Sequence, residues 1–192
     1  MTDERERLLQ LTARHLLEHG VLDLSLRTLG DAIGSSHRVL LYYFESRERL
    51  ITDALDEAAR LSSVRDASML GPSGTDPDIA GELVRVWRLI SADEQLPLIR
   101  LFLQVVALAL HDRGRYAEFL AGLMTEWAGA YSHYLAAHGL PTTMADEMAS
   151  EIVAVQRGLE LELAIGGSKT MVDGLFATAA AAWAERVAAA VR

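Results

Sequence analysis

Three arginines, two tyrosines and several short polar side chains crowd one stretch of this 192-residue chain: Ser25, Arg27, Ser36, His37, Arg38, Val39, Tyr42, Tyr43 and Arg47. These residue types suit the reading of DNA. A guanidinium forks onto the O6 and N7 of guanine, an apolar side chain meets a thymine methyl, and hydroxyl groups bond phosphate. In that scheme Arg38 reads a guanine edge, Val39 touches a methyl and Ser36 or Tyr42 takes phosphate. Arg27 and Arg47 lie near helix N-termini, whose exposed amides favour phosphate as well. A Tyr-Tyr-Phe run on a helix serves a core equally well, so Tyr43 carries both readings.

Catalytic chemistry finds less material. The six histidines are His15, His19, His37, His111, His133 and His138. His133 and His138 are five apart, which turns them off a common helix face, unlike the four-residue interval of a helical zinc pair. The chain has no Gly-rich phosphate loop and no nucleophile motif. With no cysteine, thiol catalysis, thiolate metal sites and disulfides are excluded. The expectation is a protein that is not an enzyme, with no cofactor and no metal site.

The net charge of −9 runs against DNA binding until its distribution is considered. Residues 1–50 hold seven Arg against eight Asp or Glu, a net of −1, and the remainder holds eleven basic against nineteen acidic residues, a net of −8. The acidity therefore lies outside the candidate reading segment. Apolar residues make up 51% of the chain, and Ala, Leu, Glu and Arg dominate it, a balance that favours packed helices over sheets. The charged N-terminal stretch has no apolar signal core, and the apolar run 96–110 is broken by Pro97, Arg100 and Gln104. It is read as a buried core helix, so the expected setting is the cytoplasm with no membrane partner.

The elements that would position the arginines follow from periodicity and caps. Leu8, Leu11, Ala13, Leu16 and Leu17 recur at helical spacing over residues 3–19, and Gly20 stops that helix. Ser25 caps a second helix to residue 33, ended by Gly34, and Ser36 caps a short third one to residue 44. In the third, Leu40, Leu41 and Phe44 are expected to face a core with Leu26, Leu29 and Ile33. A fourth helix is predicted over 46–69, then a loop at 71–78. Helices near 78–91, 95–111, 115–138, 143–165 and 169–191 follow, which gives an all-α chain of about nine helices without strands.

The segment Ser25–Leu50, SLRTLGDAIGSSHRVLLYYFESRERL, resembles the DNA-binding signature of the tetracycline-repressor (TetR) family. The shared features are the capped helix with Arg27, the turn Ile33-Gly34-Ser35-Ser36, the run Leu40-Leu41-Tyr42-Tyr43-Phe44, and Ser46-Arg47-Glu48-Arg49-Leu50 opening the next helix. Arg38 stands where the family usually has a small residue, Leu41 and Tyr43 where it has Tyr and His, and Arg47 where it has Lys. These departures imply a different operator sequence.

The resemblance implies two parts: residues 1–50 as a three-helix helix-turn-helix DNA-binding domain, and residues 51–192 as a helical effector-binding and dimerisation domain. It implies a homodimer on a palindromic double-stranded operator, most simply a repressor released by a small molecule. The apolar pocket would draw on Trp87, Phe102, Gln104, Met124, Trp127 and Tyr131, each of which fits plain core packing as well. The stripes Ile152, Val155, Leu159 and Leu163, and Phe176 and Trp183, would supply the dimer interface, or equally an intramolecular core. A helical protein-interaction module that never touches DNA is the competing reading.

Overall fold

The computed structural model describes residues 3–61, 70, 78–122 and 125–191. Among these the chain is all-helical. α1 spans Glu4–His19, α2 Leu26–Ile33, α3 His37–Phe44, α4 Arg47–Leu61, α5 Ile79–Ile90, α6 Leu96–His111, α7 Ala117–Gly122, α8 Thr125–Ala137, α9 Thr142–Ala164 and α10 Lys169–Ala190, with one 3₁₀ turn at Asp93–Gln95. The stretch 115–138 expected as one helix contributes α7 and α8, on either side of 123–124. The end of the predicted fourth helix and nearly all of the 71–78 loop lie outside the described residues.

The caps follow short-range chemistry. Ser25 accepts a bond from the Thr28 amide while the Thr28 hydroxyl takes the Ser25 amide, a reciprocal box with Thr in the place of the usual Glu. Ser36 accepts from the Val39 amide, Ser46 from that of Arg49, Asp78 from that of Gly81 and Ser168 from that of Met171. Each satisfies an amide that the first helical turn leaves without a partner. Gly34 ends α2 in the left-handed region, where a Cβ would be strained.

The chain divides into two compact units, one of residues 1–65 and 97–120, the other of 66–96 and 121–192. Segment 97–120 thus groups with the first four helices, although it is remote from them in sequence. Within the first unit, Leu8, Leu29, Ile33, Leu40, Phe44 and Leu50 form one core under α2 and α3. A second core joins Ala13, Leu16, Ile51, Ala54, Leu55 and Ala58 to Leu98, Leu101, Val105 and Ala109 of α6. Each fully buried leucine contributes on the order of 2 kcal/mol of burial.

By length and hydropathy the helical stretch Asp93–His111 could cross a membrane. Leu98, Leu101, Val105 and Ala109 recur every three or four residues and are packed, while Leu110 and Arg100 stand at the surface. The expectation of a buried helix is corrected to a one-sided amphipathic one.

The second unit packs α5, α8, α9 and α10 around Leu83, Trp87, Tyr131, Met148, Ile152, Val153, Phe176 and Trp183. Trp87 stacks on Phe176 at 4.8 Å between ring centroids, and its indole N–H donates to Asp173 at 2.7 Å. Asp173 also takes the ammonium of Lys169, which donates to Ser91 at 3.1 Å, so a polar clasp closes α5 on α10.

Candidate nucleic-acid interface

α3 is eight residues long and has two distinct sides. Leu40 and Phe44, four apart, are buried in the head core, and Tyr43 packs half-buried beside them. Arg5 of α1 holds this arrangement, with its guanidinium 4.9 Å from the centre of the Phe44 ring and bonded to Asp53 of α4 at 2.7 Å. The other side presents His37, Arg38, Val39, Leu41 and Tyr42, with Tyr42 81% exposed. Arg38 and Tyr42, one turn apart, share a line along the helix. No residue of α3 is acidic, so this face does not repel phosphate.

The expectation that Leu41 joins the core is corrected, since it is 40% exposed. Each residue turns the helix by about 100°, so position 41 lies at the edge of the face that buries positions 40 and 44, and the packing of those two leaves it at the surface. Tyr43 resolves toward core packing, and its ring meets that of Tyr42 edge-on at 5.0 Å.

Ser25, Arg27, Ser36, His37, Arg38, Val39 and Tyr42 are exposed at the surface of α2, α3 and their caps. Arg47 is not available in the same way. Its Nε donates to the carbonyl of Leu24 at 3.0 Å and its Nη2 to that of Val21 at 3.3 Å. This guanidinium ties the link between α1 and α2 to α4, a structural role beside the phosphate contact expected of it.

The junction after α3 is strained. Glu45 has φ 65°, and the Ser46 amide donates to the Phe44 carbonyl at 2.6 Å, a γ-turn of the rare positive-φ kind. It ends the helix abruptly and lets Ser46 cap α4 at once. α4 is further fastened within the same unit by Arg49 to Glu118 at 2.8 Å and by Glu48 to Arg115 at 3.3 Å.

Of the expected pocket residues, Trp87, Trp127 and Tyr131 meet in the core of the second unit. Phe102 and Gln104 belong to the first, and Met124 lies outside the described residues. Gln104 accepts the Val21 amide at 2.8 Å, and its Oε1 would stand 2.6 Å from a Cβ on Gly20. It is a structural latch beneath the turn after α1.

Sequence reasoning missed a buried polar chain. The Tyr131 hydroxyl donates to Gln156 at 3.0 Å, Gln156 donates to Glu160 at 3.0 Å, and Arg157 bonds Glu160 at 2.6 Å. Burial, then the Glu160 charge, raises the Tyr131 pKa far above its ordinary value. The interval of Gln156 and Glu160 on α9 was the available signal. Ile152, Leu163, Phe176 and Trp183, expected at a dimer interface, are buried inside this unit. The exposed apolar residues of α9 and α10 are instead Met144, Leu161, Met171 and Leu175, with Ile165 and Val191 at the helix ends. Val155 and Leu159 are half-buried and pack on the core margin.

No family model matches the sequence, and no curated protein does. Solved structures do. A transcriptional regulator from Rhodococcus sp. Rha1 superposes with a TM-score of 0.74 at 17% identity, over 93% of this chain and 95% of its own. A TetR-family transcriptional regulator from Rhodococcus sp. gives 0.70 at 19% identity over 93% and 97%. A TetR transcriptional regulator from Legionella pneumophila gives 0.64 at 15% identity over 93% and 98%. The chain has the fold of these transcriptional regulators over nearly its whole length.

Proposed function

We propose that this chain is a ligand-responsive, DNA-binding transcriptional regulator without enzymatic activity, a cytoplasmic repressor that binds a palindromic operator as a homodimer and is released by a small molecule. The observation that carries the reading is the exposed, carboxylate-free face of α3, with Arg38 and Tyr42 in line, held outward by Leu40 and Phe44 on a fold shared with known regulators. Residues 1–50 do the reading. Arg38 contacts a base edge, Val39 a thymine methyl, and Arg27, Ser36, His37 and Tyr42 the backbone.

Residues 51–192 carry effector binding and pairing in this reading. An effector seated by Trp87, Trp127 and Tyr131 would find polar anchors in the Tyr131–Gln156–Glu160 chain. Pairing would use the exposed side of α9 and α10, and two α3 helices about one DNA turn apart would then read a palindrome. Effector and operator are coupled by linkage, each weakening the other to the extent that they favour different spacings of the two heads.

The test is binding of the purified protein to the DNA upstream of its own gene and to a selected random pool, across a salt series. Arg38→Ala is expected to cost about 1–3 kcal/mol on the preferred sequence and little on random DNA. Arg27→Ala is expected to weaken both alike and lower the salt slope by about one. Failure of the wild type to bind either DNA sinks the reading and leaves the protein-interaction module.

A further inference from the structure

The C-terminal end of α1 carries two imidazoles four residues apart. The rings of His15 and His19 stack with centroids 4.4 Å apart and planes 17° from parallel. Four residues turn a helix by about 400°, so both side chains rise from one face. The Nδ1 of His19 lies 3.1 Å from the carbonyl oxygen of His15. A carbonyl only accepts, so this nitrogen is the donor, which leaves Nε2 as the nitrogen that faces away from the helix backbone and would ligate. Imidazoles that hold metals are oriented by this kind of bond to a backbone carbonyl.

Two further features favour a cation here. The final carbonyls of α1 make its C-terminal end the negative pole of the helix. The exposed Glu18 carboxylate, 4.0 Å from the Nδ1 of His19, adds negative charge at this end of the helix. His15 is half-buried against the helix. His19 is exposed, which leaves the outer side open to an arriving ion.

We propose that His15 and His19 form a two-imidazole chelate for a divalent transition ion of the copper, nickel and zinc class at the C-terminal end of α1. Imidazole suits these three metals. Metal–nitrogen bonds of about 2.0–2.1 Å place two donors roughly 3 Å apart, so the two side chains must turn about their torsions until the lone pairs of the now parallel rings converge. Water fills the remaining positions. The site stands on α1 alone and does not depend on the regulator reading.

The test titrates the full chain with Cu²⁺ and separately with Zn²⁺ in a non-chelating buffer, following affinity by competition and the copper form by electron paramagnetic resonance. The expected result is one site per chain, tighter for copper than zinc, with hyperfine structure from two imidazole nitrogens. His15→Ala and His19→Ala are each expected to weaken it on the order of a hundredfold, because the second bond of a chelate forms at high effective concentration. His15→Gln and His19→Gln repeat the comparison with the side-chain bulk kept, and circular dichroism checks that α1 is intact. His111→Ala and the double change His133→Ala with His138→Ala are expected to change nothing. A loss under about tenfold in either α1 variant, or a loss of the site in the control variants, overturns the proposal.

Discussion

Arg47 shows how a side chain expected at a DNA contact also serves as a structural part. Its fork grips the carbonyls of Val21 and Leu24 in the link before α2. Arg47→Ala leaves both carbonyls without this charged donor and is expected to lower stability by about 1–2 kcal/mol in urea unfolding. Arg47→Lys should recover only part of that loss, since an ammonium lacks the rigid fork. DNA affinity should fall only as far as α2 is loosened. A loss of affinity with stability unchanged would return Arg47 to the phosphate role. The partners are 23 and 26 residues upstream, and no local pattern in the sequence announces such a pairing. Gln104 is the same case across 83 residues. The caps Ser25, Ser36 and Gly34 were legible because their partners lie within four residues. The His15–His19 interval also stood in the sequence, but only the structure shows the two rings stacked, with the His15 carbonyl bonded by His19.

At the scale of the element, α3 is held by a cap at one end and a strained turn at the other. Glu45→Gly removes the Cβ from a backbone at φ 65°, where a side chain costs on the order of 1–3 kcal/mol. Glycine also loses more entropy on folding, by roughly 0.5–1 kcal/mol. The expected net is a gain of up to about 1 kcal/mol, seen as a higher urea midpoint with an unchanged slope. A lower midpoint would mean that the Glu45 side chain contributes more than the strain costs. The length of α3 and its two-sidedness were readable from the sequence. The position of Leu41 was not, because three apolar residues among five fit more than one buried arc, and packing of Leu40 and Phe44 against Leu29 and Ile33 decides between them.

For the whole molecule, the distinction between an inner and an outer face of α9 and α10 decides which residues hold the fold and which are free to pair. Phe176 is fully buried, stacked on Trp87 and edge-on to Trp183, and Phe176→Ala is expected to cost about 3–5 kcal/mol of stability. Leu175, next in sequence, is 52% exposed. Leu175→Glu is expected to leave the melting temperature of the isolated chain nearly unchanged and to lower the dimer fraction in sedimentation velocity. An unchanged dimer fraction would move pairing to another surface. Helical periodicity announced both stripes but does not say which meets a partner and which meets its own chain. That choice is made by α5 and α8, which cover Phe176 and Ile152.

The clasp between α5 and α10 has a practical consequence. Lys169 is the chain's one lysine, since every other basic side chain is arginine or histidine. Its ammonium is engaged by both oxygens of Asp173 and by Ser91. Acylating reagents need a free, unprotonated amine, so apart from the chain's amino terminus they have a single target, and the bonds to Asp173 and Ser91 slow their reaction with it. The rate at which an amine-reactive dye attaches to Lys169 therefore reports how firmly Asp173 and Ser91 hold its ammonium, and a bound effector that shifts Ser91 against Lys169 will be read as a slower or faster reaction.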